Sequence, residues 1–202
     1  MKILTVGCLH GDLKQAQRLA ETAVKENVDI VVFAGDFTLG EQHTPGLFKV
    51  FKDKGLQLAL LPGNHESPNF AEAIAKQYGA RFLHGHYAWL GKYKEVGLFG
   101  AGLANFGLWQ LGEDEIYNLL KQGHERISDA KKKIMLTHVH PDGTVIDFDG
   151  RFFGSTGVRN AIEAFKPDFA ISSNIHEAEG LEDSIGTTKV ISVGRHGKII
   201  EI

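Results

Sequence analysis

Apolar residues in the first third of the chain follow two alternating periods. Short apolar runs of strand length alternate with stretches in which apolar residues recur at three- and four-residue spacing. These two patterns are typical of buried strands and amphipathic helices. The predicted strands are 3–7, 29–34 and 57–61, and the predicted helices are 13–27, 45–54 and 69–78. A βαβαβα order of this kind predicts a parallel sheet with right-handed crossovers.

The boundaries of the first two helices are marked by capping residues. Asp12 stands at the N-cap of the first helix, where a carboxylate accepts free backbone N–H groups. In the second helix, Pro45 lies in the first turn and Gly55 follows the end, positions that these residue types favour. The predicted buried face of the first helix comprises Leu13, Ala16, Leu19, Ala20, Ala23 and Val24.

The remainder of the chain is less regular but shows the same two periods. Residues 81–101 form short runs separated by glycine, which indicates β structure with tight turns. Further predicted elements are helices over 113–128 and 157–165, strands over 133–137 and 169–172, loops over 102–112 and 142–156, and antiparallel strands within 180–202 that turn at Gly186 and at His196-Gly197. Because no repeat, low-complexity segment or linker interrupts the pattern, we predict a single domain spanning 1–202.

Polar residues of the metal-binding type follow five of the predicted strands. They are Cys8 and His10, Asp36, Asn64 and His65, His138 and His140, and Asn174 and His176. The carboxyl ends of neighbouring parallel strands meet at one edge of a sheet, so these side chains are expected to converge. Converging His, Asp and Asn side chains suit a divalent metal. For the Asn64 segment alone, an ordinary turn with an Asn cap is the simpler interpretation.

Composition limits the class of protein without identifying its chemistry. The 202 residues carry a net charge of −3 and show no basic stripe, so neither nucleic acid nor a membrane is indicated as a partner. Cys8 is the single cysteine, which excludes an internal disulfide and favours a reducing compartment. With no run of membrane-spanning length and no signal-peptide pattern, we expect a cytoplasmic location. The apolar run 96–103 pairs either with its own sheet or with a second chain, which leaves a homo-oligomer open.

Three short motifs at the ends of predicted strands, taken in their order along the chain, resemble those of a known protein family. The motifs are Gly35-Asp36, Gly63-Asn64-His65-Glu66 and Thr137-His138. With these residues the sequence resembles the calcineurin-like metallophosphoesterase family. The resemblance implies an α/β fold, a four-layer α/β/β/α sandwich with two mixed β-sheets, and two divalent metal ions held between the loops.

The sequence departs from the family pattern at two ligand positions. Cys8 stands where the family has its first Asp, and Ser173-Asn174-Ile175-His176 replaces Gly-His-x-His. By resemblance, one metal site comprises Cys8, His10, Asp36 and His176, and the other comprises Asp36, Asn64, His138 and Asn174, with Asp36 bridging them. The alternatives are that Cys8 is a small buried apolar residue and that Asn174 is a turn residue.

The two altered ligands predict unequal metal sites. A thiolate keeps the charge of the carboxylate it replaces but is softer, which favours zinc or iron over magnesium. A neutral amide at Asn174 is a weaker ligand than imidazole. We therefore expect manganese, iron or zinc, with the first site tight and the second weak or empty.

The resemblance implies hydrolysis of a small phosphate ester, most of all a phosphodiester, by a metal-bound hydroxide. In this scheme Asp36 is indispensable, and His65 contacts the phosphoryl oxygens or serves as general acid. A second hypothesis is a degenerate family member that serves as a binding scaffold. A third, ranked low, is an enzyme with Cys8 as a redox switch.

Several other residues have simpler roles in this interpretation. Glu66 and His140 are expected to support the site or its loops without binding metal, and Phe106 and Trp109 either line a substrate pocket or pack locally. The histidines without motif support are predicted to lie on the surface: His43, His84, His86, His124 and His196.

Overall fold

A computed structural model describes residues 1–91, 95–147, 150 and 153–202. Within these residues the strands are β1 (Lys2–Val6), β2 (Ile30–Ala34), β3 (Leu58–Leu61), β4 (Arg81–Phe82), β5 (Tyr87–Leu90), β6 (Val96–Ala101), β7 (Lys132–Thr137), β8 (Phe169–Ser172), β9 (Glu182–Ile185), β10 (Thr188–Ser192) and β11 (Lys198–Glu201). The helices are α1 (Leu13–Lys25), α2 (Lys49–Lys52), α3 (Pro68–Tyr78), α4 (Glu113–Glu125) and α5 (Thr156–Phe165). Parts of the predicted β region 81–101 and of the predicted loop 142–156 lie outside the described residues.

The strands form two mixed sheets. In the first, ordered β11-β1-β2-β3-β4, the strands β1 to β4 run parallel and β11 is antiparallel to β1. In the second, ordered β5-β6-β7-β8-β10-β9, the strands β6, β7, β8 and β10 run parallel, and β5 and β9 form antiparallel edges. The predicted apolar run 96–103 thus pairs within its own sheet through β6.

Three apolar clusters hold these sheets and helices together as layers. One cluster lies between the sheets and joins residues such as Ile3 and Leu61 to Leu98 and Leu136. A second lies between the first sheet and α1–α3, and a third between the second sheet and α4–α5. Strands buried on both faces need near-continuous apolar sequence, which explains the runs at β2 and β3. The predicted four-layer α/β/β/α sandwich is confirmed.

Capping side chains begin three of the helices that follow the strand-end loops. The backbone N–H of Gln15 donates to the Asp12 carboxylate at 2.9 Å, as predicted for α1. Ser67, rather than an asparagine, caps α3, and Ser155 caps α5. Each cap satisfies a backbone donor that the first helical turn leaves free. The caps thereby fix the loops that lead from the strand ends into the helices.

Two predicted helical features are wrong in detail. The helix predicted over Pro45–Lys54 is only the four residues of α2, because Gly46 adopts a φ of +91° that a right-handed helix does not allow. On α1, Val24 is 47% exposed and outside the buried face. The apolar stripe is therefore narrower than the sequence pattern indicates.

Only the first of the two predicted C-terminal turns joins strands that pair with each other. β9 and β10 form the predicted hairpin around Gly186. β11 does not continue it, because β10 already has β8 and β9 on its two edges. β11 instead pairs with β1 in the other sheet and completes that sheet's edge.

Two of the histidines predicted on the surface are partly buried. His84 Nδ1 accepts the Gly102 N–H at 3.0 Å, and burial lowers the pKa of His84 to about 4. The ring of His124 stacks on Phe165, with a centroid distance of 4.6 Å. His43, His86 and His196 are exposed as predicted. No helix in the described ranges is both long and apolar enough to cross a membrane.

The outer core of the first sheet is expected to be the most sensitive to truncation. Phe51 is fully buried and meets Phe33 edge-on at 5.2 Å. Phe51→Ala leaves a cavity and should lower the free energy of unfolding by about 3–5 kcal/mol, measured by chemical denaturation. The control Val24→Ala, at an exposed apolar position, should change it by no more than about 0.5 kcal/mol. Equal losses in the two variants would contradict the packing described.

Candidate metal centre

The polar residues predicted from the sequence lie at the carboxyl ends of five strands. Cys8 and His10 follow β1, Asp36 follows β2, and Asn64 with His65 follows β3. From the second sheet, His138 follows β7, and Asn174 with His176 follows β8. The two sheets therefore contribute to one edge of the sandwich.

Asp36 lies among three imidazole rings. Its Oδ2 is 3.4 Å from Nε2 of His138, 3.9 Å from Nε2 of His10 and 4.0 Å from Nε2 of His65. The carboxylate is 3% exposed. The structure thus brings the predicted bridging residue and three predicted site histidines together around one oxygen.

Cys8, His10 and His176 form a second, overlapping group. Their ligand atoms all lie within 4.8 Å of one another, and Nε2 of His10 is 3.3 Å from Nε2 of His176. Cys8 is buried, whereas His176 is exposed. These three residues, with Asp36, make up the site predicted from the resemblance as the tighter one.

Hydrogen bonds at Nδ1 of His10 and His138 show which ring nitrogen of each histidine presents a lone pair. Nδ1 of His138 lies 2.8 Å from the Ala34 carbonyl, and Nδ1 of His10 lies 3.2 Å from the Thr38 carbonyl. A carbonyl only accepts, so each Nδ1 carries the proton and each Nε2 presents a lone pair. This is the arrangement by which proteins orient histidine ligands.

His65 has the opposite hydrogen-bond pattern. The Gly40 N–H donates to its Nδ1 at 3.3 Å, so in the neutral ring Nε2 carries the proton. That N–H faces the Asp36 carboxylate. In the neutral ring His65 therefore presents an N–H to Asp36, whereas His10 and His138 present lone pairs.

The fully buried carboxylate of Glu66 binds the loops after β2 and β3 together. It accepts the N–H groups of Asp36 at 3.0 Å, Thr38 at 2.7 Å and Gly63 at 2.9 Å, and the Thr38 hydroxyl at 2.7 Å. Four donors leave its oxygens little capacity for a metal. Glu66 thus supports the site without belonging to the ligand set, as the sequence analysis predicts.

Two glycines allow these loops to come this close. A Cβ on Gly63 would lie 2.0 Å from Oδ1 of Asp36, and one on Gly35 would lie 2.6 Å from the Gly63 Cα. The His65 N–H donates to the same Oδ1 at 3.0 Å. Any side chain at Gly63 would therefore displace the carboxylate.

Several site residues have a left-handed backbone. The φ angles are +52° at Cys8, +45° at His10, +52° at Asp36 and +79° at Asn174. Non-glycine residues in this region are strained and collect at functional sites. The chain thus accepts strain at four predicted ligand positions.

The electrostatics of the site favour an added positive charge. Burial raises the pKa of Asp36, but the neighbouring His138 and His65 outweigh burial and lower that pKa to about 2. Burial lowers the pKa of His138, yet Asp36 outweighs burial and raises it. Burial, with Asp36 nearby, raises the pKa of the Cys8 thiol to about 12. Without a cation the thiol keeps its proton, so metal binding there releases one.

Unpaired buried atoms indicate where a cation fits. Nε2 of His138 and Oδ1 of Asn64 are both buried and have no hydrogen-bond partner within the described residues. A buried polar atom without a partner is costly. A divalent cation beside Asp36 would satisfy these lone pairs, so the residues present fit a metal.

The structure leaves the role of Asn174 as a prediction. Its Nδ2 is buried with no partner in the described part of the chain. His140 is separate from the cluster, because its Nε2 contacts Asp147 Oδ1 at 3.0 Å.

Sequence reasoning missed one residue that touches both metal groups. The buried hydroxyl of Ser173 donates to the Ala34 carbonyl at 2.7 Å and lies 3.1 Å from Nδ1 of His138. The Cys8 thiol donates to it at 3.9 Å. Ser173 stands at the Gly of the altered Gly-His-x-His motif, and that departure was the available signal.

Glu66→Gln should show that this carboxylate supports the loops. An amide nitrogen would face backbone N–H groups that need an acceptor, so the free energy of unfolding should fall by about 1–3 kcal/mol. The measurement is chemical denaturation at pH 8, above the Glu66 pKa of about 7, which burial and Asp36 raise. Glu72→Gln, on α3 with a side chain that is 44% exposed, should leave the free energy of unfolding nearly unchanged. A smaller loss for Glu66→Gln than for this control would refute the role.

Comparison with solved structures finds several of similar fold. A structure from Thermus thermophilus aligns with a TM-score of 0.77 at 17% identity, over 96% of this chain and 90% of that one. A dimetal phosphatase from Danio rerio gives 0.62 at 10% identity, over 96% and 88%, and an archaeal phosphodiesterase gives 0.55 at 15% identity, over 96% and 84%. At these identities the likeness concerns the fold.

Sequence comparison extends the likeness beyond the fold. Among curated protein sequences none matches the chain. A family model, however, covers most of its length, including every predicted ligand from Cys8 to His176. The model for calcineurin-like phosphoesterases matches residues 1–178, and the chain belongs to that family.

Proposed function

We propose that this protein is a metal-dependent phosphoesterase that hydrolyses phosphodiesters. The observation that carries the proposal is the buried Asp36 carboxylate with three imidazole Nε2 atoms at 3.4–4.0 Å. Two of these rings present lone pairs and the third presents an N–H. Hydrolysis of a phosphate ester at a metal centre uses metal ligands and a proton donor. Side chains of both kinds lie beside the Asp36 carboxylate.

Two structural relatives support this choice of chemistry. One is described as a dimetal phosphatase and the other as an archaeal phosphodiesterase. A phosphatase and a phosphodiesterase share the attack on phosphorus and differ in the number of ester groups on the substrate. The diester preference comes from the sequence analysis.

The proposed ligand sets are those implied by the family resemblance. Cys8, His10, Asp36 and His176 would hold one cation, and Asp36, Asn64, His138 and Asn174 the other. Bound divalent cations would neutralise charge on the phosphoryl group and lower the pKa of water. Thiolate and imidazole ligands favour zinc or iron, and manganese suits the harder ligands of the second site.

The protein's own groups would orient the ester and supply a proton. Asp36 holds the ligand histidines around one carboxylate, and burial of Asp36, Asn64 and His138 keeps bulk water away from the ligand side. His65 lies partly exposed at the mouth of the site, with its Nε2–H directed inward. We assign to it the donation of a proton to the leaving oxygen.

The direct test is hydrolysis of bis(p-nitrophenyl) phosphate by metal-stripped protein with Mn²⁺, Fe²⁺, Zn²⁺ or Mg²⁺ added back separately. We expect turnover with at least one of the first three. Asp36→Asn removes the shared carboxylate and should reduce turnover at least about 100-fold, whereas Asp53→Asn, at an exposed position after α2, should leave it unchanged. Absence of turnover with all four metals in folded protein would favour the binding-scaffold hypothesis.

Measuring bound metal in two histidine variants should distinguish a metal ligand from the proposed proton donor. His10 and His65 are matched for this purpose, since their rings lie 5.0 Å apart but have opposite hydrogen-bond patterns. After dialysis, wild type and His65→Gln should each retain about one equivalent of metal in the tight site, and His10→Gln should lose it. Turnover should fall in both variants.

Two results of that measurement would count against the assignment. Loss of metal from His65→Gln would make His65 a ligand. Two equivalents retained by the wild type through dialysis would contradict the unequal sites proposed from Cys8 and Asn174.

A further inference from the structure

Exposed apolar side chains are concentrated around the candidate metal centre. Within the described residues, nine large apolar side chains are exposed, and five of them lie on loops at or beside the site. We call these five the apolar rim: Leu39, Phe106, Leu108, Trp109 and Phe153. Leu108 is 69% and Phe153 78% exposed. Apolar surface gathered at one place marks a binding surface, whereas scattered apolar residues do not.

The largest part of the rim is attached to a proposed metal ligand. Nδ2 of Asn64 donates to the Phe106 carbonyl at 3.3 Å, and the Trp109 N–H donates to the Asn64 carbonyl at 3.1 Å. Between them, Gly107 comes so close that a Cβ on it would lie 2.1 Å from Nδ2 of Asn64. The backbone of this loop is therefore fixed on Asn64 while its side chains remain exposed.

Leu39 places apolar surface beside two other site residues. The carbonyl of Thr38 contacts Nδ1 of His10 at 3.2 Å, and the N–H of Gly40 contacts Nδ1 of His65 at 3.3 Å. Leu39 lies between these two contacts and is 51% exposed. The rim thus reaches both the Asn64 side and the His10–His65 side of the site.

Phe153 is held next to the Phe106 loop by a partly buried network. Nδ2 of Asn105 donates to the Gly154 carbonyl at 3.2 Å and to Glu113 at 2.9 Å. Glu113 also accepts the Ser155 hydroxyl at 2.5 Å and the N–H of Gly157 at 2.7 Å. Glu113 of α4 therefore anchors the backbone of both loops.

We propose that the apolar rim binds the ester group of the substrate, so that the enzyme prefers phosphodiesters with a bulky aromatic or long aliphatic group beside the phosphate. This inference rests on the proposed function. A phosphate held at the metal ligands places its ester substituents within reach of loops bonded to Asn64, His10 and His65. Burying apolar surface of substrate and rim together supplies binding energy that a small ester lacks.

The test compares two diesters with the same p-nitrophenyl leaving group and either an ethyl or a 2-naphthylmethyl group as the other ester. Both reactions release p-nitrophenolate as water adds to phosphorus, so the assay is identical. With the metal ion that best supports turnover of bis(p-nitrophenyl) phosphate, wild-type kcat/KM should favour the naphthylmethyl ester by about tenfold or more.

Two substitutions in the rim should remove this preference. The double variant Leu108→Ser, Phe153→Ser replaces the two most exposed side chains of the rim. Because both side chains are exposed, their removal should leave the fold intact. The preference should fall to about twofold, because kcat/KM for the naphthylmethyl ester should fall more than kcat/KM for the ethyl ester. Val24→Ser, at an exposed apolar position on α1, is the control and should retain the preference. No preference in wild type, or an unchanged preference in the double variant, would overturn the inference.

A binding measurement separates failure of this inference from failure of the proposed function. If neither ester is hydrolysed with Mn²⁺, Fe²⁺, Zn²⁺ or Mg²⁺, the proposed function fails, and calorimetry with methylphosphonate and 2-naphthylmethylphosphonate decides the question of the rim. Tighter binding of the naphthylmethyl compound that weakens about tenfold in the double variant would support the rim. Equal affinities for the two phosphonates would overturn it.

Discussion

The buried carboxylate of Glu66 sets the position of everything else at the site. It accepts N–H groups from the loops after β2 and β3, and those loops contain Asp36 and His65. Because a buried carboxylate is costly unless its oxygens are bonded, the two loops have one low-energy arrangement, in which Gly63 lies against Asp36. The same arrangement places two carboxylates close together in a region that excludes water. Burial, and after it repulsion by Asp36, raises the pKa of Glu66, and a cation at Asp36 would relieve the repulsion.

The three histidines around Asp36 differ in the hydrogen bond that each makes at Nδ1. Backbone carbonyls fix the proton of His10 and His138 on Nδ1, and a backbone N–H fixes that of His65 on Nε2. The difference is set by whether the loop presents a C=O or an N–H to the ring. Spacing in the sequence carries no such information, whereas the three-dimensional course of the loop does.

The sandwich was predictable because apolar runs and strand-end motifs are local signals, as β2 and the Gly35-Asp36 turn illustrate. The convergence of Cys8, His10, Asp36, His138 and His176 follows from parallel strands ending at one edge. What the pattern missed depends on distant partners or on backbone angles. α2 is short because of the backbone angle of Gly46, His124 is covered by Phe165, and Ser173 joins groups that lie 35 and 139 residues away in sequence.

Placement of the single thiol has a consequence for chemical durability. Cys8 is 4% exposed, and burial raises its pKa to about 12. Oxidants and alkylating agents attack the thiolate, and they need access to it. Without metal the sulfur is protonated and enclosed, and with metal its lone pairs are engaged. Burial of the protonated sulfur therefore protects it from oxidation, which makes a redox switch at Cys8 the weakest of the three hypotheses.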